Sequence, residues 1–170
     1  MRWLEIGART YPLRFTAQSI LRVQDRTQAP FSALFDRGPA GLCALLYCAL
    51  CDALPRLTLD GAADLLECAL RARPAGEIAD TVLLALADSG FDRRGVTRQE
   101  LSRLTAAAVR AGYPAPEGLP ALTLREIEAR LSAHAAALSL RPGSTPAPMT
   151  DSQMKSLLQS FAGRQQNDHT

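Results

Sequence analysis

The sequence predicts a mainly α-helical protein, in which an N-terminal β-hairpin packs on a small helical bundle and further helices are appended at the C-terminal end. Three observations predict this class. Leu and Ala are abundant in the 170 residues while aromatic residues make up 5%, and such a composition favours helices. Apolar residues alternate with polar ones up to residue 15, which is the period of a strand. From residue 16 onward they recur at helical spacing.

Two short alternating segments predict the hairpin. Residues 4–6 and 10–15 alternate in polarity on either side of Gly7-Ala8-Arg9, which supplies turn chemistry. Pro12 cannot donate a ladder hydrogen bond, so its strand should be an edge. Because a two-stranded hairpin is marginal alone, we expect its apolar face to pack on the helices that follow.

Pro and Gly residues divide the next seventy-odd residues into helices. A short apolar turn, Phe31 to Phe35, separates the first helix from the second. Leucines cover most of the circumference of the second helix, which predicts that it is buried at the centre. We expect Leu70 and Leu83 to face inward from the third and fourth helices. The four predicted helices run from Thr16 to about Pro30, from Pro39 to Ala53, from Thr58 to Arg71 and from Pro74 to Ser89.

Three capping boxes mark later helices, each with a Thr three residues before a Glu or Gln. They are Thr97 with Glu100, Thr123 with Glu126 and Thr150 with Gln153. A stretch rich in Pro and Gly precedes the last box and is typical of a linker. The predicted organisation is a hairpin and helical domain over 1–90, a helical extension over 91–140, a Pro-rich linker over 141–149, and an amphipathic helix with a polar tail over 150–170.

Charge and hydropathy argue against two classes of protein, those that bind nucleic acid and those that span a membrane. The 19 basic and 17 acidic residues give a net charge of +2, too weak a field for phosphate-backbone binding, so no nucleic-acid partner is predicted. The most apolar stretch, residues 42–54, is well short of the roughly 20 residues that span a membrane. Glu5 and a turn lie where a secretory signal needs an apolar run. We therefore expect a cytosolic protein without a membrane partner.

No catalytic or cofactor site is predicted, so we expect a non-enzymatic protein. Cys48-x-x-Cys51 has the spacing of a metal-binding pair, but it lies in a Leu-rich helix without a second close pair. Core packing is therefore the prediction for the four cysteines, Cys43, Cys48, Cys51 and Cys68. His134 is expected on a solvated helix flank, His169 lies in the tail, and there is no Gly-rich phosphate loop. The arginines from Arg93 to Arg103 are expected in solvent.

The last capping box precedes an apolar stripe. Met154, Leu157, Leu158 and Phe161 are spaced i, i+3, i+4 and i+7, so on a helix they share one face. Backbone ordering opposes the gain from burying so short a segment. We expect it to fold on a surface, either the body of its own chain or a partner's groove. These four residues are the candidate partner-binding residues.

The first half of the chain resembles the tail assembly chaperones of long-tailed bacteriophages. The resemblance lies in the order of hairpin, small helices and short motifs over residues 3–90, with Ala8 standing where the family usually has a second Gly. The motifs are Ile6-Gly7-x-x-Thr10-Tyr11-Pro12-Leu13-Arg14-Phe15-Thr16, Phe31-x-x-Leu34, Leu45-Leu46-Tyr47 and Leu57-Thr58-Leu59-Asp60.

The second half is similar to the extension that many phages add by ribosomal frameshifting. The matching residues are 104–109, Ala111-Gly112-Tyr113, Pro114 and Leu122-Thr123-x-Arg125-Glu126-Ile127, with Leu124 in place of the usual Pro. The resemblance implies binding of the helical tape-measure protein, with the extension recruiting tail-tube subunits. It also implies a protein in the bacterial host cytoplasm that is absent from the mature particle. The alternatives are a generic helical adaptor and a small metal- or DNA-binding regulator.

Overall fold

A computed structural model describes residues 2–139 of the chain. Within them the fold is mainly helical, with an N-terminal two-stranded antiparallel hairpin, so the predicted class is confirmed. The strands are β1 (Arg2–Ile6) and β2 (Arg9–Leu13). The α-helices are α1 (Ala17–Thr27), α2 (Gly38–Leu50), α3 (Leu59–Leu70), α4 (Ala75–Asp88), α5 (Arg98–Arg110) and α6 (Leu124–Ser139), and two 3-10 helices span Phe31–Asp36 and Pro116–Ala121.

The hairpin lies on the helices through its apolar face. Leu4 pairs with Tyr11 across the ladder, and Gly7 takes the left-handed conformation that the tight turn requires, with φ of 62°. Leu4 and Leu13 are buried. β1 packs against α3 and α4 while β2 packs against α2, so the hairpin closes one side of the bundle.

Helix α2 is the central element, as its leucine pattern predicts. Leu46, Cys48 and Leu50 are fully buried, because α1, α3, α4, β2 and the first 3-10 helix all pack on it. Helices α3 and α4 also contact each other. The half of α2 nearest its N-terminus is covered less completely, and this opening forms the candidate site.

The predicted caps fix where helices begin. The Thr58 hydroxyl accepts a hydrogen bond from the Gly61 N–H at 3.0 Å. The box of Thr97 and Glu100 is complete, with the Glu100 carboxylate accepting from the Thr97 N–H at 2.9 Å. Thr123 and Glu126 bond in the same two directions. Each cap satisfies N–H groups that the first helical turn leaves unpaired.

Hydrogen bonds join the helices beyond residue 90 to the first part of the chain. The Ser89 carbonyl accepts from the Arg125 N–H at 3.3 Å, while within the first part the Ser89 hydroxyl accepts from the Phe15 N–H at 3.2 Å. The Ala17 N–H donates to the Leu122 carbonyl at 3.3 Å. Buried side chains of α5 and α6 belong to the same apolar cluster as those of α2. The predicted division between domains stays a prediction.

None of the helices between residues 2 and 139 combines the length and the apolar character needed to cross a membrane. The predicted linker at 141–149 and the helix and tail at 150–170 lie outside the described residues.

Candidate functional site

An open apolar groove lies between the first 3-10 helix, α2, α3 and α4. Its volume is about 410 Å³, and every residue that lines it is an aliphatic, aromatic, Gly or Pro residue. We call it the apolar groove. The helices around it contribute Leu34, Phe35, Leu42, Leu45, Leu66 and Leu70, and α4 adds Gly76, Ala79 and Leu83.

The floor of the groove depends on a close approach between two elements. A Cβ atom on Gly41 would overlap the backbone carbonyl oxygen of Leu34, so only a glycine lets the 3-10 helix lie this near α2.

The ring of Phe35, which lines the groove, stands edge-on to Phe31, with 5.5 Å between the centroids. The guanidinium of Arg93 lies 5.4 Å from the Phe35 ring centre on the rim. The aromatic wall is therefore held by its neighbours.

Small residues on α4 keep the opposite wall low. The small residues are Gly76 and Ala79, and they share one face of the helix with Leu83 at the spacing i, i+3 and i+7. A Cβ added at Gly76 would meet no atom within 4 Å. The groove is thus open above the first turn of α4.

The prediction that Leu70 faces inward is wrong. Leu70 is the last residue of α3, and it is 41% exposed. The chain turns away after it, over residues 71–74, before α4 begins, so within residues 2–139 this side chain stays part-exposed. Leu70 instead lines the edge of the apolar groove. Leu83, also expected to face inward, is half-buried there.

A second opening, the flanking groove, adjoins the first between α2 and α3. It has a volume of about 550 Å³ and shares Leu34, Leu66 and Leu70 with the apolar groove. Three charged residues, Arg37, Asp60 and Glu67, are among those that line it. The two openings therefore make one apolar surface with charges on one side.

The cysteines divide between core and surface. Cys48 and Cys51 are buried as predicted, and the Cys48 sulfur lies 3.4 Å from the Ser19 hydroxyl. Cys43 is half-buried, with its thiol 3.5 Å from the Leu59 carbonyl. For Cys68 the packing prediction is wrong: it is exposed, and its sulfur lies beside the hairpin turn, 3.7 Å from the ideal Cβ position on Gly7.

Burial makes the inner thiols poor nucleophiles and metal ligands. It raises the pKa of Cys51 to about 11, with a further contribution from the Asp52 carboxylate. Burial raises the pKa of Cys48 well above its ordinary value, and that of Cys43 less strongly. The thiolate is the species that attacks and ligates. Among residues 2–139, no group of three or more His, Cys, Asp or Glu side chains is arranged to hold a metal ion.

His134 is not on the solvated flank that the sequence predicts. It is half-buried, its Nε2 lies 3.0 Å from the Ala111 carbonyl oxygen, and its ring stands edge-on to Tyr113. These contacts hold α6 against the end of α5. These two contacts give His134 a structural role in packing α6.

The arginines from Arg93 to Arg103 are exposed, as predicted, and two of the four are paired with carboxylates. Arg94 pairs with Asp92 at 2.8 Å, and Arg98 pairs with Asp25 at 2.6 Å. Surface pairs of this kind contribute little to stability. Acidic partners thus offset the charges of Arg94 and Arg98.

The predicted partner-binding residues Met154, Leu157, Leu158 and Phe161 lie outside the described residues. Sequence reasoning missed the apolar groove. The available signal was the run of small residues at helical spacing on the apolar face of α4, beginning with Gly76. Small residues at such positions leave space that a partner's side chains can fill.

The chain matches no protein-family model, no curated protein and no solved structure with which it was compared.

The groove suits a polypeptide better than a small molecule. Small-molecule pockets of this size place a few polar groups to orient the ligand, whereas the lining here is wholly apolar. An amphipathic helix needs only a groove for its apolar stripe. The chemistry of the lining therefore favours an apolar helix face as the occupant.

Proposed function

We propose that this chain is a non-enzymatic assembly chaperone for the tail of a phage, prophage or tail-derived particle. In this role it binds the tape-measure protein, keeps it soluble, and recruits tail-tube subunits. The proposal joins the resemblance in the sequence to one observation, the open apolar groove between α2, α3 and α4.

The groove carries the proposal because it fits the client's chemistry. A long, helical, aggregation-prone protein exposes apolar stripes before it assembles. A groove lined only by apolar side chains can cover one such stripe without discriminating finely between sequences. Leu70 and Leu83 offer the part-exposed apolar surface for this contact.

The order of elements supports the same proposal. The chain begins with a hairpin on which Tyr11, Pro12 and Leu13 stand in β2, and small helices follow. The residues that carry the second half of the resemblance, around Thr123 and Glu126, begin α6 beside the hairpin's end. We assign tail-tube recruitment to the surface around Thr123 and Glu126, neither of which lines the apolar groove.

Co-expression tests the proposal. The long, helix-rich reading frame adjacent to this gene would be expressed with and without the chain, and the soluble fraction of its product measured. We expect the client to be soluble only when the chain is present. Leu70→Gln should lower that soluble fraction several-fold, whereas the matched control Leu84→Gln should not, because Leu84 is 48% exposed on α4 and does not line the groove.

Three results would contradict the proposal. The first is a neighbourhood without a long helical reading frame or a small β-rich tube protein. The second is a client equally insoluble with and without the chain. The third is turnover of a small compound by the purified protein, which would replace the chaperone role with an enzymatic one.

A further inference from the structure

We propose that residues 150–161 of this same chain dock in the apolar groove as an amphipathic helix. Met154, Leu157, Leu158 and Phe161 would be the side chains that fill it. The docking does not depend on the proposed function, although one consequence drawn below does.

The first argument is the match between an apolar surface and an apolar stripe. The groove exposes Leu70 and the open space above Gly76, and no polar side chain lines it. The tail carries four large apolar side chains within eight residues, at the spacing of one helix face. Docking would remove apolar area of both the groove and the stripe from water.

The second argument is reach. α6 ends at Ser139, and the chain from there to Met154 can extend to about 50 Å at roughly 3.3–3.6 Å per residue. A compact body of this size has a radius of gyration of about 14 Å, so the tether spans more than its diameter. Short tethers give effective concentrations in the millimolar range, and weak contacts then suffice for docking in cis.

The third argument is charge. Lys155 is the single lysine of the sequence, and it follows the first residue of the apolar stripe. Asp60 and Glu67 line the flanking groove beside the apolar one together with Arg37, so two carboxylates face one guanidinium there. With the stripe in the apolar groove, Lys155 at the edge of the helix can approach these carboxylates, and opposite charges then fix the direction in which the helix lies.

A docked tail would compete with any client for the groove, and this consequence rests on the proposed function. If the effective concentration is about 1 mM and the intrinsic dissociation constant is about 0.1 mM, the tail weakens client binding about tenfold. A client with a longer apolar stripe displaces it.

Photo-crosslinking of the full chain tests the docking without any client. Phe161 is replaced by p-benzoyl-phenylalanine, and the crosslinked peptides are identified after irradiation. We expect crosslinks to the lining residues of α3 and α4. Leu70→Gln should reduce them at least fivefold, whereas the matched Leu84→Gln should leave them unchanged. Melting temperatures of both variants establish that each is folded.

Amide exchange of the same full chains gives a second readout. Residues 154–161 should exchange at least tenfold more slowly in the parent and in Leu84→Gln than in Leu70→Gln.

Crosslinking a mixture of chains of two isotopic compositions separates docking in cis from docking between copies.

Docking in cis is overturned by crosslinks between chains of different isotopic composition, by crosslinks outside the groove, by an absence of crosslinks, or by exchange that Leu70→Gln does not alter. None of these outcomes bears on client solubility. Conversely, an insoluble client in the co-expression experiment would overturn the proposed function and leave the docking untouched.

Discussion

Gly41 and Leu34 approach so closely that a single added methyl group could not fit between them. The ideal Cβ position on Gly41 overlaps the Leu34 carbonyl oxygen, and Leu34 itself is 1% exposed. Backbone cannot move aside as a flexible side chain can. The contact sets the distance between α2 and the 3-10 helix, and hence the depth of the apolar groove.

Gly41→Ala should destabilise the fold by about 1–3 kcal/mol or more, the usual cost of overpacking. Gly76→Ala is the matched control, because it lies in a helix with open space around its added methyl group. There the change should stabilise slightly, by less than the roughly 0.5–1 kcal/mol expected in a helix interior, because Gly76 is the second residue of α4. Urea unfolding measures both. Equal effects of the two substitutions would refute the close contact.

Gly76→Phe should block the apolar groove without unfolding the protein. The new ring enters the open space above the first turn of α4. We therefore expect the soluble fraction of the co-expressed client to fall, while the melting temperature of the variant changes little. Gly118→Phe is the control, because Gly118 also has open space around it and lies in the second 3-10 helix, away from the groove. A client that stays soluble with Gly76→Phe would show that it binds elsewhere.

Glu126→Gln should lower the free energy of unfolding at neutral pH. It should also make the free energy of unfolding of the variant fall less than that of the parent when the pH is lowered. Burial alone would raise the pKa of Glu126, but the Thr123 N–H and the Arg14 guanidinium outweigh it, and the pKa lies below its usual value of 4.5. A lowered pKa stabilises the fold above the unfolded-state value, and this contribution disappears as the pH falls through the folded-state value.

The difference between the parent and Glu126→Gln should be about 0.5–1 kcal/mol at pH 7, because the side chain is 44% exposed and solvent screens the pair. It should shrink steadily below about pH 4.5. Urea unfolding from pH 7 to pH 3 measures it. Arg14→Gln should reproduce part of the effect while leaving the Thr123 cap in place. A difference that does not vary with pH would contradict this account.

Thiol labelling at pH 7.5 should distinguish the exposed cysteine from the buried ones by the rate at which each reacts. Cys68 is exposed, so it should react within minutes. Cys48 and Cys51 should react only after unfolding, because burial keeps their pKa values high and their sulfurs covered. Cys68→Ser should abolish the fast phase, and Cys48→Ala should retain it. Rapid reaction of Cys51 in the folded protein would show that the core around α2 is open.

Local signals predicted the fold well because they act over a few residues. The caps at Thr58, Thr97 and Thr123 and the leucine pattern of α2 depend on neighbours along the chain. The position of Leu70 depends on where the chain goes after α3, and that of Cys68 on which side of the helix meets α2. Periodicity identifies the apolar face of a helix, but it does not say how far the partner elements extend over it.

The candidate site escaped prediction for the same reason. A groove is a space between elements, here α2, α3, α4 and a 3-10 helix, and its existence depends on their separation. Gly41 and Gly76 are ordinary glycines in the sequence, one needed for close approach and the other leaving room. Only the assembled structure distinguishes these two roles.

The seam between the hairpin and the later helices also bears on synthesis. Arg14 pairs with Glu126, and the Ala17 N–H bonds to the Leu122 carbonyl, so more than a hundred residues separate these partners along the chain. A polypeptide released by the ribosome near residue 90 would present these groups, and the apolar surface beneath α5 and α6, without their cover. Another molecule would have to supply that cover, so a product shortened to about residue 90 should self-associate more strongly than the full chain.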